Sequence, residues 1–475
     1  MNSAFKSGVF FTAIGKFSNI VVSLVVNAIL SRLLSPADYG VVAIVQVFIL
    51  FFQILVEAGM GPAIIQNKTL TSKEVGILFN YSAVLAIILA FIFGLFGFAL
   101  VQIYDNEIYL KLSWWQSIAV LFSGLNVVPS AILNRDKRFK EINKNQIIGS
   151  FISGFCGVIL AFKGFGVFAL VASAIVLSIV VFIRNIRAVK ISYQRILDRE
   201  VLNKILGFSI HQFSFNFINY FSRNADNILI GKFMGPSALG NYNKAYQLLM
   251  MPNSILLGII NPVLQPILSD YQDNVEIIRH EYMKIVRFLA LIGCGLSAFL
   301  SINSKEIIEF IFGSQWNAAV FPFSILSLTV WVQMTLSSTG AIFQSRNKTK
   351  ELFSTGLISA LILVGSIMLG IITNDLNQFS IILAVAFYIN YLVNFSRVMN
   401  LALDSKLIVL FSEVKIPVLI GILEYFLLVF FYNFVPHYSP FISLLIMGTI
   451  FLISYTGLLI IFGEWKQIKK IVRHS

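Results

Sequence analysis

Charge is scarce in this sequence. Only 12% of its 475 residues are Asp, Glu, Lys or Arg, where a water-soluble domain carries about 25%. Hydrophobic residues make up 57%. A globular core cannot hide that much apolar sequence, so lipid is the natural solvent. Cysteine is nearly missing: Cys156 and Cys294 each lie inside an apolar run, which argues against a disulfide frame or a thiolate metal site. The four histidines, His211, His280, His437 and His474, are scattered without ligand spacing. No Ser-His-Asp set, no paired carboxylates at catalytic spacing and no Walker loop are present. The chain therefore reads as a non-enzyme with no metal and no cofactor. With no nucleotide site, the expected energy source is an H+ or Na+ gradient, the membrane potential, or the gradient of a lipid substrate.

What is abundant is length of apolar run. About 20 largely apolar residues cross a bilayer as a helix. Fourteen such stretches are read at about 9–33, 40–60, 77–102, 112–133, 146–162, 164–183, 206–231, 239–267, 286–302, 317–343, 352–373, 379–402, 414–434 and 440–462. The first contains Lys16 and Asn19 and is followed by no small-residue cleavage pattern, so it is expected to stay as a helix rather than be removed as a signal.

The net charge of +13 invites a nucleic-acid reading, but the positions of the bases oppose it. Of the 35 Lys and Arg, 26 fall on the termini and on alternate links, such as Arg135, Lys137, Arg138, Lys140 and Lys144, or Arg184, Arg187 and Lys190. The opposite links hold five: Arg32, Lys111, Lys163, Lys232 and Lys305. The positive-inside rule then places both termini in the cytoplasm, which an even number of spans requires. The expected partners of these bases are membrane lipids, not nucleic acid.

One corner is written twice. LSRLLSPADYG (Leu30–Gly40) and IGKFMGPSALG (Ile230–Gly240) share an apolar run, one base, a proline and a glycine four residues later. Pro36 and Pro236 end one helix, and Gly40 and Gly240 let the chain reverse. Near an offset of 210, Ala131-Ile132 and Lys140-Glu141 match Ala341-Ile342 and Lys350-Glu351. Six helices, a basic linker and six more make a parallel repeat. The predicted organisation is an all-α polytopic membrane protein of about 14 transmembrane helices. It comprises a six-helix lobe over 1–190, a cytoplasmic linker over 191–205, a second six-helix lobe over 206–403, and over 404–475 two extra helices with a short basic tail.

Repeats of this kind bind substrate where they meet. In the first span Thr12, Lys16, Asn19, Ser23, Asn27 and Ser31 recur at steps of three or four, which puts them on one helical face. Asn216, Asn219, Arg223, Asp226 and Asn227 make a matching stripe in the seventh span, Gln46, Gln53 and Glu57 a sparser one on the second, and Lys244 lies on the eighth. Such stripes must face protein or a wet cavity. Several have a purely structural reading. Lys16 can snorkel to head groups. Arg223 and Asp226, three apart, can pair with each other, and Arg397 and Glu424 can pair across helices. Glu57 reads as a residue at head-group level. The candidate cavity set is Lys16, Asn19, Ser23, Asn27, Gln53, Asn216, Asn219, Arg223, Asp226, Asn227 and Lys244. Amides and hydroxyls suit sugar hydroxyls, and Lys or Arg suits phosphate.

SRLLSPADYG, RNADNILIGKFMGPSALGNYNKAYQL (Arg223–Leu248) and NPVLQPILSDYQDN (Asn261–Asn274) resemble the bacterial polysaccharide transporter family. These are Wzx-type flippases of the multidrug/oligosaccharidyl-lipid/polysaccharide superfamily. The resemblance implies two six-helix lobes in a V with two added helices. It also implies a task in the bacterial inner membrane: moving a polyprenyl-diphosphate-linked oligosaccharide outward by alternating access. The cargo would be a repeat unit of capsule, O-antigen, exopolysaccharide or teichuronic type, and glycosyltransferases and a polysaccharide polymerase are the expected partners. The family supplies no fixed signature to assign site residues. The alternatives are a peptidoglycan-precursor flippase, a multidrug or cation antiporter of the same superfamily with Asp226 as its essential acid, and last a membrane-embedded polymerase.

Overall fold

The computed structural model describes residues 3–57, 60–67, 69–192, 194, 196–202, 220, 224–269, 271, 274–435 and 439–465, with the side chains at 3–14, 16, 17 and 255–269 outside that description. All regular structure among the described residues is helical. The helices fall into two compact units, Met1–Gly240 and Asn241–Ser475.

The first unit contains α1 (Ser3–Leu33), α2 (Pro36–Glu57), α3 (Met60–Gln66), α4 (Ser72–Tyr104), α5 (Ile108–Leu125), α6 (Val127–Arg135), α7 (Phe139–Phe162), α8 (Val167–Ala188) and α9 (224–233). In it α4 packs on α5, α7 on α1 and α8, and α3 on α6. Thr71 caps α4 in a reciprocal box with Glu74, which satisfies two otherwise orphaned backbone donors. The α3–α6 contact closes a core of Ile64, Leu78, Val128 and Leu133, all fully buried.

α10 (Gly235–Ser269) runs from the end of the first unit into the second. The second unit continues with α11 (Val275–Ile302), α12 (Ser304–Ile311), a short tight turn of helix at Ser314–Ala319, α13 (Val320–Ser327), α14 (Val330–Leu336), α15 (Thr339–Ser345), α16 (Thr349–Ile372), α17 (Leu376–Arg397), α18 (Leu407–Tyr432) and α19 (Pro440–Ile461). α11 packs on α18 and α14, and α16 on α17. At one end of this unit Arg287 on α11 is held by Glu413 of α18 (Nη1–Oε2 3.0 Å) and Glu464 beyond α19 (Nε–Oε2 3.1 Å). This cluster ties the two C-terminal helices to the bundle.

Ten of the described helices are long and apolar enough to cross a membrane, eleven if each bent pair is one span. Their outer faces carry large bare side chains such as Phe91 on α4, Phe151 and Phe155 on α7, and Leu452 and Ile453 on α19. Apolar surface on that scale belongs against hydrocarbon, and the chain is a multi-pass membrane protein.

One of the expected spans is broken, and another carries a local irregularity. The stretch read as 112–133 crosses as a single span, Ile108–Arg135, interrupted only at Asn126 between α5 and α6. Pro129 lacks the N–H that would donate to Leu125, and its ring crowds that carbonyl. The stretch read as 317–343 bends by 55° between Ser327 and Val330 and is interrupted again after Leu336. Here hydroxyls turn back onto the helix. Thr329, Ser338 and Thr339 each donate to a carbonyl three residues earlier at 2.7 Å, which competes with the regular ladder and bends it.

The duplication is written into backbone geometry. Lys137 and Asn347, 210 residues apart, both adopt positive φ, 56° and 55°. Around them Asp136 N–H bonds Ile132 O (2.9 Å) and Arg138 N–H bonds Leu133 O (2.9 Å), while Arg346 N–H bonds Ile342 O (3.1 Å) and Lys348 N–H bonds Phe343 O (2.7 Å). The same carbonyl-capping turn thus closes α6 and α15. The repeated corner also has a structural use. Within the first unit the two copies lie against each other. A Cβ on Gly40 would sit 2.8 Å from Pro236 Cα and nearer still to its carbonyl oxygen, and one on Gly240 would meet the carbonyl of Pro36. Only hydrogen fits at either position.

Candidate functional site

The first unit holds a pocket of about 330 Å³ lined by Gln53 and Glu57 from the end of α2, Gly61, Pro62 and Ile65 of α3, Ser123 of α5, and Asn126, Val127, Ser130, Ala131 and Asn134 at and after the α5–α6 break. It lies at the end of the unit from which the basic link Arg135–Lys144 departs. Pro129 leaves the Leu125 carbonyl without its usual helical donor, so the irregularity at Asn126 offers a guest a backbone acceptor beside polar side chains.

The polar atoms of the wall have assigned directions. Gln53 Nε2 donates to Ser123 Oγ at 3.1 Å, which leaves the Gln53 carbonyl as an acceptor. Asn134 Nδ2 donates to the Ser130 carbonyl at 2.9 Å, which leaves its own oxygen likewise. Asn126 accepts from Asn185 Nδ2 of α8 at 2.9 Å. Asn185 Oδ1 accepts from Asn145 Nδ2 of α7 at 2.8 Å, and Asn145 Oδ1 accepts from Arg184 Nε at 2.9 Å. Next to Ser123 in the chain, the Gly124 carbonyl accepts from Ser82 Oγ of α4 at 2.8 Å. Among the described lining residues, Glu57 is the one with an ionisable side chain.

Of the residues expected from sequence, Gln53 lines this pocket. Asn19 accepts from Ser150 Oγ of α7 at 2.7 Å and so faces a neighbouring helix. Asn27 Nδ2 donates to the Ser23 carbonyl one turn back at 3.0 Å, and both are half-buried. Asp226 is buried, its Oδ1 accepting from the Asn227 backbone N–H at 2.8 Å and from Asn227 Nδ2 at 3.3 Å. Lys244, in the second unit, is buried with its ammonium 4.6 Å from the Phe312 ring centre and 5.3 Å from that of Trp316. Lys16 lies in α1 with its side chain outside the described residues, as are Asn216, Asn219 and Arg223 entirely. The possible Arg397–Glu424 pair does not form. Arg397 Nε donates to Thr355 Oγ1 at 2.8 Å, and Glu424 accepts from Ser454 Oγ at 2.7 Å. Glu57, read as a head-group residue, lies at the last residue of α2, half-buried in the pocket wall.

Sequence reasoning missed Ser123, Asn126, Ser130 and Asn134. The signal was available, because they recur at steps of three and four along one face, as the stripe of the first span does. Asn145, Arg184 and Asn185 had no such signal, since their partners lie about 40 to 60 residues away in the chain.

A multi-span helical bundle with an amide- and hydroxyl-lined pocket is the architecture of a membrane carrier. Residues 29–321 match the family described as "Polysaccharide biosynthesis protein", and the chain belongs to that family. Its curated relatives include the teichuronic acid biosynthesis protein TuaB of Bacillus subtilis, 23% identical over 82% of this chain and 80% of its own length. The lipopolysaccharide biosynthesis protein WzxC of Escherichia coli is 22% identical over 77% of this chain and 74% of its own length. The succinoglycan biosynthesis transport protein ExoT of Rhizobium meliloti is 24% identical over 79% and 76%. Among solved structures, the lipid II flippase MurJ in an inward closed conformation superposes with a TM-score of 0.74, at 15% identity over 95% of this chain and 98% of its own. An inward-facing multidrug resistance transporter of the MATE family gives 0.59, at 17% identity over 81% and 96%. These likenesses support the polytopic all-α fold. Relatives named for transport support the reading of the chain as a carrier and not a catalyst.

Proposed function

We propose that this protein is a flippase that carries a polyprenyl-diphosphate-linked oligosaccharide across the bacterial cytoplasmic membrane by alternating access, with both termini in the cytoplasm. The observation that carries the reading is membership of a polysaccharide-biosynthesis family combined with an amide-rich pocket in the first unit whose lining holds no base. Sugar hydroxyls hydrogen-bond to amides and hydroxyls without requiring ion pairs, so such a wall can hold a glycan and still release it. The diphosphate requires bases. Lys16 and Arg223 are assigned to it, with Asn19, Ser23, Asn27, Asn216, Asn219, Asp226, Asn227 and Lys244 completing the polar set. The prenyl tail stays in lipid, so the protein has only to shelter the head group from hydrocarbon. An H+ or Na+ gradient drives the cycle, and the glycosyltransferases that build the cargo and the polymerase that consumes it are the functional partners.

The test is transfer of labelled lipid-linked oligosaccharide in proteoliposomes, with and without imposed ion gradients. Transfer that depends on the protein, and that falls tenfold or so in Lys16→Ala and Arg223→Ala with membrane insertion unchanged, is expected from the loss of one charged hydrogen bond each. Full transfer by both single variants and the double variant removes these residues from the mechanism. Transport of cationic drugs in place of the lipid overturns the reading altogether.

A further inference from the structure

The chain of amides behind the pocket has a fixed polarity, and the arginine sets it. A guanidinium has only donors, so the oxygen of Asn145 must face Arg184 Nε. The Asn145 NH2 then points to the oxygen of Asn185, and the Asn185 NH2 to the oxygen of Asn126. Each amide is thereby locked in one of its two orientations. Asn145 and Asn185 are 4% and 3% exposed, so no solvent is available to reverse them. At the end of the relay Asn126 spends its oxygen on Asn185 and has its NH2 group left to donate. Asn126 lines the pocket, at the helix break.

We propose that this pocket is a subsite for one uncharged sugar ring of the carried glycan, with Asn126 as its oriented donor and Arg184, Asn145 and Asn185 as positioning residues. The proposal rests on the flippase reading. Its own support is the chemistry of the wall. The Asn126 NH2 group is a donor, and the oxygens of Gln53, Asn134 and Glu57 are acceptors. A pyranose, whose hydroxyls both give and accept, matches that alternation. A diphosphate does not, because the described lining residues include no base and their one carboxyl group, Glu57, would repel it. The pocket's 330 Å³ is at the small end of the roughly 300–1,000 Å³ of ligand sites, room for a ring rather than for a whole repeat unit.

The duplication argues that the fold alone does not require the relay. In the second unit the position 210 residues beyond Asn126 is Leu336, and that beyond Asn145 is Thr355, which takes its hydrogen bond directly from Arg397. Neither of those two positions carries an amide.

Saturation-transfer NMR on the full-length protein in lipid nanodiscs tests the subsite, with the methyl glycosides of glucose, galactose, mannose and N-acetylglucosamine as probes. At least one glycoside is expected to receive saturation from the wild type. Asn126→Asp keeps the oxygen that accepts from Asn185 but removes the donor, and should cut that signal roughly fivefold or more, one hydrogen bond's worth. Arg184→Lys, also a pure donor, should keep it within about twofold. Arg184→Leu releases the polarity and should lower it, and a merely structural arginine would not show this split between Lys and Leu. Equal saturation in wild type and Asn126→Asp overturns the proposal. So does a wild type that moves lipid-linked oligosaccharide in proteoliposomes yet binds no glycoside. A wild type that binds glycosides through Asn126 but moves no lipid-linked oligosaccharide keeps the subsite and overturns the flippase reading.

Discussion

Gly40→Ala places one methyl group where the two copies of the corner meet. The added carbon would lie 2.8 Å from Pro236 Cα and closer to the Pro236 carbonyl, where comfortable carbon contacts begin at about 3.5 Å. Neither neighbour is a flexible side chain. Both are backbone atoms at a helix start, so the corners must separate by roughly 1 Å or more. Overpacking of this kind costs about 1–3 kcal/mol, and backbone against backbone belongs at the upper end. For a unit of 240 residues, about 3 kcal/mol lowers the unfolding midpoint by roughly 6–12 °C. Gly240→Ala meets the reciprocal carbonyl of Pro36 and should behave alike. The double variant should lose less than the sum, because a gap opened by one methyl admits the other. Gly356→Ala is the control: nothing lies within 4 Å of its added carbon, and on α16 alanine should be neutral or gain up to about 1 kcal/mol. Thermal unfolding of the detergent-solubilised protein, followed by tryptophan fluorescence, reads all four. If Gly40→Ala melts with the wild type while Gly356→Ala does the same, the two corners are not in contact and the packing argument fails.

Two further perturbations bear on the second unit. Glu464→Gln leaves Arg287, a partly buried guanidinium, with Glu413 as its remaining carboxylate. The unit should lose about 1.5–3 kcal/mol, the value of hydrogen bonds to a charged group, because Glu413 still neutralises Arg287; an unfolding midpoint unchanged from the wild type would show that Glu464 contributes nothing. Ser454→Ala removes the hydrogen bond to the fully buried Glu424, whose other oxygen has no partner. A loss of about 1–3 kcal/mol is expected, with much of it returned by Glu424→Leu in the same background. A Ser454→Ala protein as stable as the wild type would show that the contact with Glu424 contributes nothing.

Much of this protein follows from its sequence alone. Scarcity of charge and the length of the apolar runs select lipid as solvent, and with it helices, because a backbone in hydrocarbon must bond to itself. The duplicated Pro36–Gly40 and Pro236–Gly240 corners and the matched links at Lys140 and Lys350 announce the repeat, since turn residues report local backbone demands that the chain cannot evade. The irregularity at Asn126 and the bend after Ser327 were written in Pro129 and in Thr329, yet a hydropathy window averages over them and reads one span each.

The pocket was decided by tertiary structure. Its wall gathers Gln53 from α2, Pro62 from α3, Ser123 from α5 and Asn134 from α6, and no periodicity within one helix says which faces of four helices will converge. The donor that Asn126 presents was decided there as well. An asparagine side chain offers a donor and an acceptor of nearly equal size, so its letter in the sequence leaves the choice open. Arg184, on another helix, makes it through two intervening amides.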